Sequence, residues 1–336
     1  MRVGLVYDRF GDTPPPPGAP PDWDAEYEPE ETIVALEDAL RQLGHQPVRL
    51  GSPQALLAQM HAGALDVDAA INIAESYGSR NREAHAPILL ELAGIPCIGS
   101  DALALSVSLD KHLTKVIARD TGLATPDWHI LSTDASSKPS VELAFPMFVK
   151  PRYEGTAKGI APSSRCDDAM ALETEAARQL DLYRQDLIAE AFVEGAEFTV
   201  GVIGTDANAE ALPVLQRAIE RDTGIGLHAL ADDTSDYDLP GELTPELEAA
   251  LHHDALAIHR ALECRDFSRS DFRVDTDGTV WFLEINPLPT FAPDGTFAIL
   301  AELAGEAYEA FLARVLDRAL YPLPGRSHRD GCRGGG

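Results

Sequence analysis

Residues 269–286 read Arg269-Ser270-Asp271-Phe272-Arg273-Val274, then Asp275-Thr276-Asp277-Gly278, then Thr279-Val280-Trp281-Phe282-Leu283-Glu284-Ile285-Asn286. Two strand-like runs flank an Asp-Gly turn signal, so the stretch predicts an antiparallel hairpin. Side chains alternate faces along a strand. With Asp275 paired to Gly278, one face carries Ser270, Phe272, Val274, Thr279, Trp281, Leu283 and Ile285, and is nearly all apolar. The other carries Arg269, Asp271, Arg273, Val280, Phe282, Glu284 and Asn286. A one-residue slip would mix the two sets, which supports this parity. In this register Arg269 stands opposite Glu284, Asp271 lies diagonal to Glu284, and Asn286 follows two residues on. Two carboxylates and an amide oxygen on one face suit a hard cation such as Mg²⁺, which takes oxygen ligands and shared phosphate. A solvated sheet face with weakly paired charges is the plainer reading, and this stretch alone slightly favours it. Against it, Val280 and Phe282 interrupt the polar face, and Pro287-Leu288-Pro289 fixes the exit just after Asn286.

Outward from the hairpin, the chain alternates strand and helix signals. Residues 2–7 form an apolar strand; Ile33, Leu36, Leu40 and Leu43 share a helix face that Gly44 ends. Strands at 47–50, 69–73 and 95–98 alternate with helices near 53–62 and 86–92, which predicts a parallel sheet covered by helices. This first domain spans residues 1–104. A helix near 108–121, strands near 128–131 and 145–149, a helix at 167–180, and strands at 187–192 and 197–203 joined by a Glu194-Gly195 turn come next. Thr244 is an N-cap candidate with Pro245 in the first turn, and Leu247, Leu251, Ala255, Ile258 and Leu262 follow at helical spacing. Residues 297–320 read as one helix, and the Gly/Arg-rich 324–336 as a disordered tail. A proline-rich connection from Asp8 to Glu28 leaves the C-terminal end of the first strand, where open parallel sheets bind ligands. It reads equally as a functional loop or a passive insertion.

Composition bounds the function. A chain of 336 residues suggests two or three domains at roughly 150 residues each. With 45% hydrophobic and 24% charged residues it is a folded globular type. Lys and Arg number 27 against 55 Asp and Glu, a net charge of -28, which argues against nucleic acid and anionic membranes as partners. An anionic ligand would therefore have to be held by locally placed cations or a metal. No apolar run reaches the roughly 18 residues of a membrane span. Four dispersed cysteines support neither a zinc knuckle nor a disulfide framework, so a cytoplasmic protein with reduced thiols is expected.

The hairpin, with Arg-x-Asp-Phe and Leu-Glu-Ile-Asn-Pro-x-Pro, resembles the metal-binding hairpin of ATP-grasp ligases of the D-alanine–D-alanine ligase-like group. The family's other markers follow its order: Gly94-Ile95-Pro96-Cys97-Ile98-Gly99-Ser100, Leu109-Asp110-Lys111 with Lys115, Phe148-Val149-Lys150-Pro151, Glu154-Gly155-Thr156-Ala157-Lys158-Gly159-Ile160, and Glu190 through Val200. The resemblance implies α/β and α+β architecture: an N-terminal parallel domain, a central ATP-grasp subdomain at 105–186 and a mixed-sheet subdomain with the metal site at 187–323. It also implies that Lys111 and Lys150 neutralise phosphate oxygens, and that Glu154, Gly155, Thr156 and Gly159 belong to the phosphate loop. Glu190, Ala191, Phe192, Val193 and Phe282 would frame adenine, and Glu197 would accept the ribose hydroxyls. Asp271, Glu284 and Asn286 would hold Mg²⁺ (two ions, with Mn²⁺ as a substitute), and Arg269, Lys150 and Thr156 would be catalytic. The implied reaction forms an acylphosphate from a carboxylate and ATP, which an amine then attacks to give an amide. Small amino-acid or peptide substrates are the implied partners, and such ligases often form homodimers.

The departures lie around the substrates. The family's glutamate after strand one is replaced by the proline-rich insertion, with Glu26, Glu28, Glu30 and Glu31 as candidates. Gly295 falls where a carboxylate-binding serine is expected. Residues 205–240 hold no lysine for the lid, only Arg217, Arg221 and His228 as basic residues. Asn72-Ile73-Ala74-Glu75 and Arg82-Glu83-Ala84-His85 are candidates for the first-substrate side, with surface charges the safer reading of the second group. The sequence therefore predicts a ligase of specialised metabolism. A divergent cell-wall D-alanine–D-alanine ligase and an ATP-binding module without turnover are the alternatives.

Overall fold

The structure is a computed structural model describing residues 1–133, 144–230 and 236–321. The expected tail at 324–336 and part of the lid segment, 231–235, lie outside the described residues.

Strands β1 (Arg2–Tyr7), β2 (Gln46–Gly51), β3 (Ala69–Ile73) and β4 (Cys97–Ile98) form a parallel sheet in the order β2-β1-β3-β4. Helices α1 (Glu30–Gln42), α2 (Pro53–His61) and α3 (His85–Leu92) cover it. After Arg2, β1 is apolar because both its faces are covered: Val3 and Leu5 cluster with Ile33, Leu36 and Leu40 of α1, and Val6 with Leu50, Leu56 and Leu90. The expected helix near 108–121 is broken into α4 (Ala102–Leu109) and α5 (Lys111–Asp120). Asp110 causes the break: its carboxylate caps α5 by accepting from the N–H of His112 and also pairs with Arg152 at 2.7 Å. Lys111 is thereby set at the start of a helix beside the second sheet.

That sheet is antiparallel, with β5 (Trp128–Leu131), β6 (Met147–Pro151), β7 (Arg165–Cys166) and β8 (Leu187–Ala191) in the order β5-β8-β6-β7. Helix α6 (Ala169–Tyr183) lies on it through Leu172. β8 was expected to pair with the next strand through the Glu194-Gly195 turn. It instead hydrogen-bonds with β5 and β6, so the chain crosses between sheets at that turn.

The third sheet joins β9 (Ala196–Ile203), β10 (Glu210–Ala211), β11 (Leu215–Arg217), β14 (Phe267–Val274) and β15 (Val280–Asn286), all antiparallel. Between β11 and β14, β12 (Ile219–Glu220) and β13 (Tyr237–Asp238) make a small ribbon. Helix α7 (Pro245–Ala261), capped by Thr244 as expected, packs Leu251, Ala255 and Ile258 against Phe198, Phe272 and Phe282. The expected single C-terminal helix is two, α8 (Thr296–Leu303) and α9 (Tyr308–Leu320), separated near Gly305, whose φ of +73° ends helical geometry.

The hairpin forms, but its register corrects the expected one. Val274 pairs with Val280 and Phe272 with Phe282, and then Asp271 pairs with Glu284, leaving Leu283 as an extra residue, a β-bulge. The turn is longer than two residues because the Asp275 carboxylate accepts from the N–H groups of Asp277 and Thr279, drawing Thr279 into the loop. Phe282 therefore faces the core, 1% exposed, with its ring 5.9 Å from that of Phe272. Its assignment to the polar, nucleotide-facing side is overturned. Arg269 stands opposite Asn286 rather than Glu284. The bulge restores the expected parity beyond it, so Glu284 and Asn286 share the face of Asp271.

Candidate active site

The polar face of the third sheet carries Glu197 and Thr199 from β9, Arg269, Asp271 and Arg273 from β14, and Glu284 and Asn286 from β15. Asp271 is fixed by the Thr199 hydroxyl, which donates to Oδ1 at 2.7 Å, and by Arg269, whose Nη2 lies 3.0 Å from Oδ2. Burial works against the charge on Arg269, but Asp271 and Glu284 outweigh it and raise its pKa. Asn286 Oδ1 accepts from the Leu288 N–H at 2.7 Å, which fixes the amide's direction. Glu284, whose side chain is 30% exposed, lies 3.7 Å from Lys111 Nζ and 3.5 Å from Lys150 Nζ. Burial tends to raise its pKa, but Lys111, Lys150 and Arg269 overcome this and hold it at about 2.

The donors Asp271, Glu284 and Asn286 are all hard oxygens on one face, with Asp271 and Glu284 opposite each other in the strand register beside the bulge. Among the described residues no three His, Cys, Asp or Glu side chains converge as a metal cage. The set therefore fits a divalent ion that draws its remaining ligands from phosphate oxygens.

Glu190 is 3% exposed and lies between Lys115 and Lys150, at 2.7 and 2.9 Å. Burial raises its pKa, but the two ammonium groups win and hold it at about 2. Lys115 is fully buried and donates to Thr125 Oγ1 at 2.9 Å. In the sequence it reads only as a helix marker; its place four residues after Lys111, on the same helix face, is the signal that points to the site.

The loop at 154–160, expected to bind phosphate, lines one space with Lys111, Lys150 and Glu284. Its Thr156 and Ala157 adopt φ of +47° and +57°, a conformation that strains non-glycine residues, and their N–H groups donate to no described acceptor. Consecutive free N–H groups of this kind form an anion-binding concavity. Lys111 Nζ donates to the Glu154 carbonyl, and a space of about 20 Å³ remains between Lys111, Lys150, Glu284 and the loop.

The proline-rich connection is part of this assembly. Glu26, 7% exposed, accepts from the Gly155 N–H at 2.7 Å, from Lys158 at 2.7 Å and from Arg82 Nη2 at 3.0 Å through both oxygens. Asp22 accepts from the Gly159 N–H at 3.1 Å. A Cβ at Gly155 would come within 2.6 Å of Glu26 Oε1, so only glycine permits this approach. Arg82 and Glu83, read from sequence as surface charges, are buried at 2% and 6%. Of the four candidate glutamates, Glu26 alone reaches the loop; Glu28 accepts from Thr290 Oγ1, Glu30 pairs with Arg9 and Arg49, and Glu31 is exposed.

At the far end, Arg273 pairs with Glu197 at 2.7 Å and donates to the Val193 carbonyl. Phe192 lies against the guanidinium groups of Arg165 and Arg273, at 4.8 and 4.9 Å. The Ala191 and Phe192 N–H groups already donate to the Asp127 and Pro146 carbonyls. The structure thus gathers the expected residues, Phe282 apart, selects Glu26 and Arg82 from the sequence candidates, and adds Lys115, Lys158 and Thr199. No described helix is long and apolar enough to cross a membrane.

The family model described as D-ala D-ala ligase C-terminus matches residues 117–317. A D-alanine–D-alanine ligase of Cupriavidus taiwanensis is 36% identical over 242 residues, covering 71% of this chain and 72% of its own. An uncharacterised protein of Sinorhizobium fredii is 28% identical over 324 residues, covering 94% of this chain and 93% of its own. The crystal structure of a Bacillus anthracis D-alanine–D-alanine ligase complexed with ATP superposes with a TM-score of 0.70 at 22% identity, over 95% of this chain and 97% of that one. On the matched segment, the shared identity and the common fold, the chain belongs to the D-alanine–D-alanine ligase family of ATP-grasp, ATP-dependent ligases.

Proposed function

We propose that the protein joins a carboxylate and an amine, both amino-acid-like, through an acylphosphate, and serves specialised metabolism rather than cell-wall synthesis. The observation that carries the ligase reading is the cationic cluster of Lys111, Lys150 and Arg269 around Glu284, facing a phosphate loop with free N–H groups. It answers the charge problem of a -28 chain, because an anionic nucleotide meets a local excess of ammonium and guanidinium. On this reading the phosphates of ATP enter the space that Lys111, Lys150, Glu284 and the loop line together.

Lys111 and Lys150 then exchange their contact with Glu284 for phosphate oxygens, and the Thr156 and Ala157 N–H groups bind the transferred phosphoryl group. Asp271, Glu284 and Asn286 would hold Mg²⁺, which when bound neutralises phosphate charge. Arg269, locked by Asp271, faces the negative oxygen that develops as the amine attacks. Enclosure by the phosphate loop and the segment after β11 shields the acylphosphate from water. The altered substrate side, with Gly295 and a lid segment without lysine, supports substrates other than two D-alanines.

Phosphate release with ATP, Mg²⁺ and pooled amino acids tests this. Release that requires both a carboxylate and an amine is the expected result. Rapid release with D-alanine alone would support the cell-wall reading, which relatives named D-alanine–D-alanine ligase favour. Nucleotide binding without release would leave only a binding module.

A further inference from the structure

Arg217 ends β11 opposite Glu197, so its side chain joins the polar face of the third sheet. Its Nε donates to Thr199 Oγ1 at 3.2 Å and its Nη2 to Thr296 Oγ1 at 2.6 Å. Thr296 opens α8, just past the hairpin's exit. The other shielded arginines around the site each have a carboxylate: Arg82 has Glu26, Arg152 has Asp110, Arg269 has Asp271 and Arg273 has Glu197. Arg217 has none within 4.0 Å among the described residues, and its Nη1 donates to no described acceptor.

Its surroundings make this costly. Burial disfavours the Arg217 charge and lowers its pKa; Asp271 and Glu197 act at longer range to favour the charge, and Arg269 opposes it. Asp271 is already engaged by Arg269 and by Thr199. A shielded guanidinium held by two hydroxyls and no anion is poorly compensated, in a chain with twice as many acids as bases. A planar fork with one face pinned by Thr199 and Thr296 is well prepared for a carboxylate, which it recognises in two-point fashion. The place also matches a gap: the expected carboxylate-binding serine falls at Gly295, one residue before Thr296, and the lid segment has no lysine.

We propose that Arg217, oriented by Thr296, is the receptor for the free carboxylate of the amine substrate. That substrate is then an amino acid or peptide acid, not a simple amine or an amide. This rests on the ligase reading above.

The test uses the full chain with ATP and Mg²⁺, offered a pool of L- and D-amino acids or the matching pool of amino-acid amides. Products are read by mass spectrometry and turnover by ADP. The wild type is expected to couple acids about tenfold or more better than amides. Arg217→Met is expected to raise the KM for the acid acceptor about tenfold or more, to erase the preference for acids, to leave the KM for ATP unchanged and not to lower the thermal midpoint. Arg217→Lys, which keeps the charge but not the fork, is expected to recover part of the preference and serves if the Met variant folds poorly. An acid preference that survives both substitutions overturns the assignment. So does an equal rise in the KM for ATP, which would place Arg217 in the nucleotide site. A wild type that couples neither pool and releases no ADP overturns the ligase reading, and this inference with it; that result appears before any variant is compared.

Discussion

The Glu26 carboxylate accepts a hydrogen bond from the Gly155 N–H at 2.7 Å, although the two residues are 129 positions apart. The same carboxylate pairs with Arg82 and Lys158, each almost fully buried. Removing it leaves two shielded cations short of a partner, Lys158 keeping Glu154 and Arg82 only a longer contact to that residue. Glu26→Ala is therefore expected to cost about 3–5 kcal/mol of stability, measured by urea unfolding. An unchanged unfolding midpoint would show that the proline-rich loop is a passenger.

In the proposed reaction Glu284 holds a metal, and in the structure it lies 3.7 Å from Lys111 and 3.5 Å from Lys150. Glu284→Gln keeps the shape and one oxygen but loses the charge. It is expected to lower phosphate release by at least about a hundredfold while circular dichroism stays that of the wild type. Wild-type turnover in this variant would remove Glu284 from the site.

Glu83 carries a pH signature. Burial raises its carboxyl to about 7, with Arg82 pulling the other way and Glu26 adding to the rise. A folded-state pKa above the ordinary 4.5 means that the folded protein holds this proton more tightly than the unfolded chain. Its contribution to stability therefore declines as pH rises from about 4.5 to about 7, and is flat beyond. Glu83→Gln is expected to raise the melting temperature at pH 8 and to change it little at pH 4. Equal shifts at both values would contradict the assignment.

Glu190 behaves in the opposite sense. Lys115 and Lys150 hold it at about 2, so its stabilising pairing is intact above about 4.5 and is lost as pH falls towards 2. Lys115→Met leaves Lys150 as the partner of a buried carboxylate. The expected result is a loss of about 3–5 kcal/mol at pH 7 and an acid-unfolding midpoint moved to higher pH, followed by circular dichroism. A variant as acid-resistant as the wild type would argue against the lysine cage.

Much of the fold was readable because its signals are local. The 3.6-residue spacing of Ile33, Leu36 and Leu40 produces α1, and Thr244-Pro245 starts α7. The hairpin's existence and the shared face of Asp271, Glu284 and Asn286 were readable from alternation and turn residues. Its register was not. The side chain of Asp275 binds loop N–H groups, and Leu283 forms a bulge, two displacements that cancel at Glu284 but turn Phe282 into the core. The break at Asp110 was equally hidden, because the residue that caps α5 does so while bound to Arg152, 42 positions away.

By itself, then, the sequence determined the order of elements and the spacing of the oxygen and lysine side chains, since these follow from backbone periodicity and turn chemistry within a few residues. Only the tertiary structure decided which of four glutamates meets the 154–160 loop, that Lys115 joins Lys150 around Glu190, and that Arg217 is left without a carboxylate among the described residues. Those outcomes depend on which charges are drawn from water together, and desolvation is a property of the packed whole that no short stretch of chain encodes.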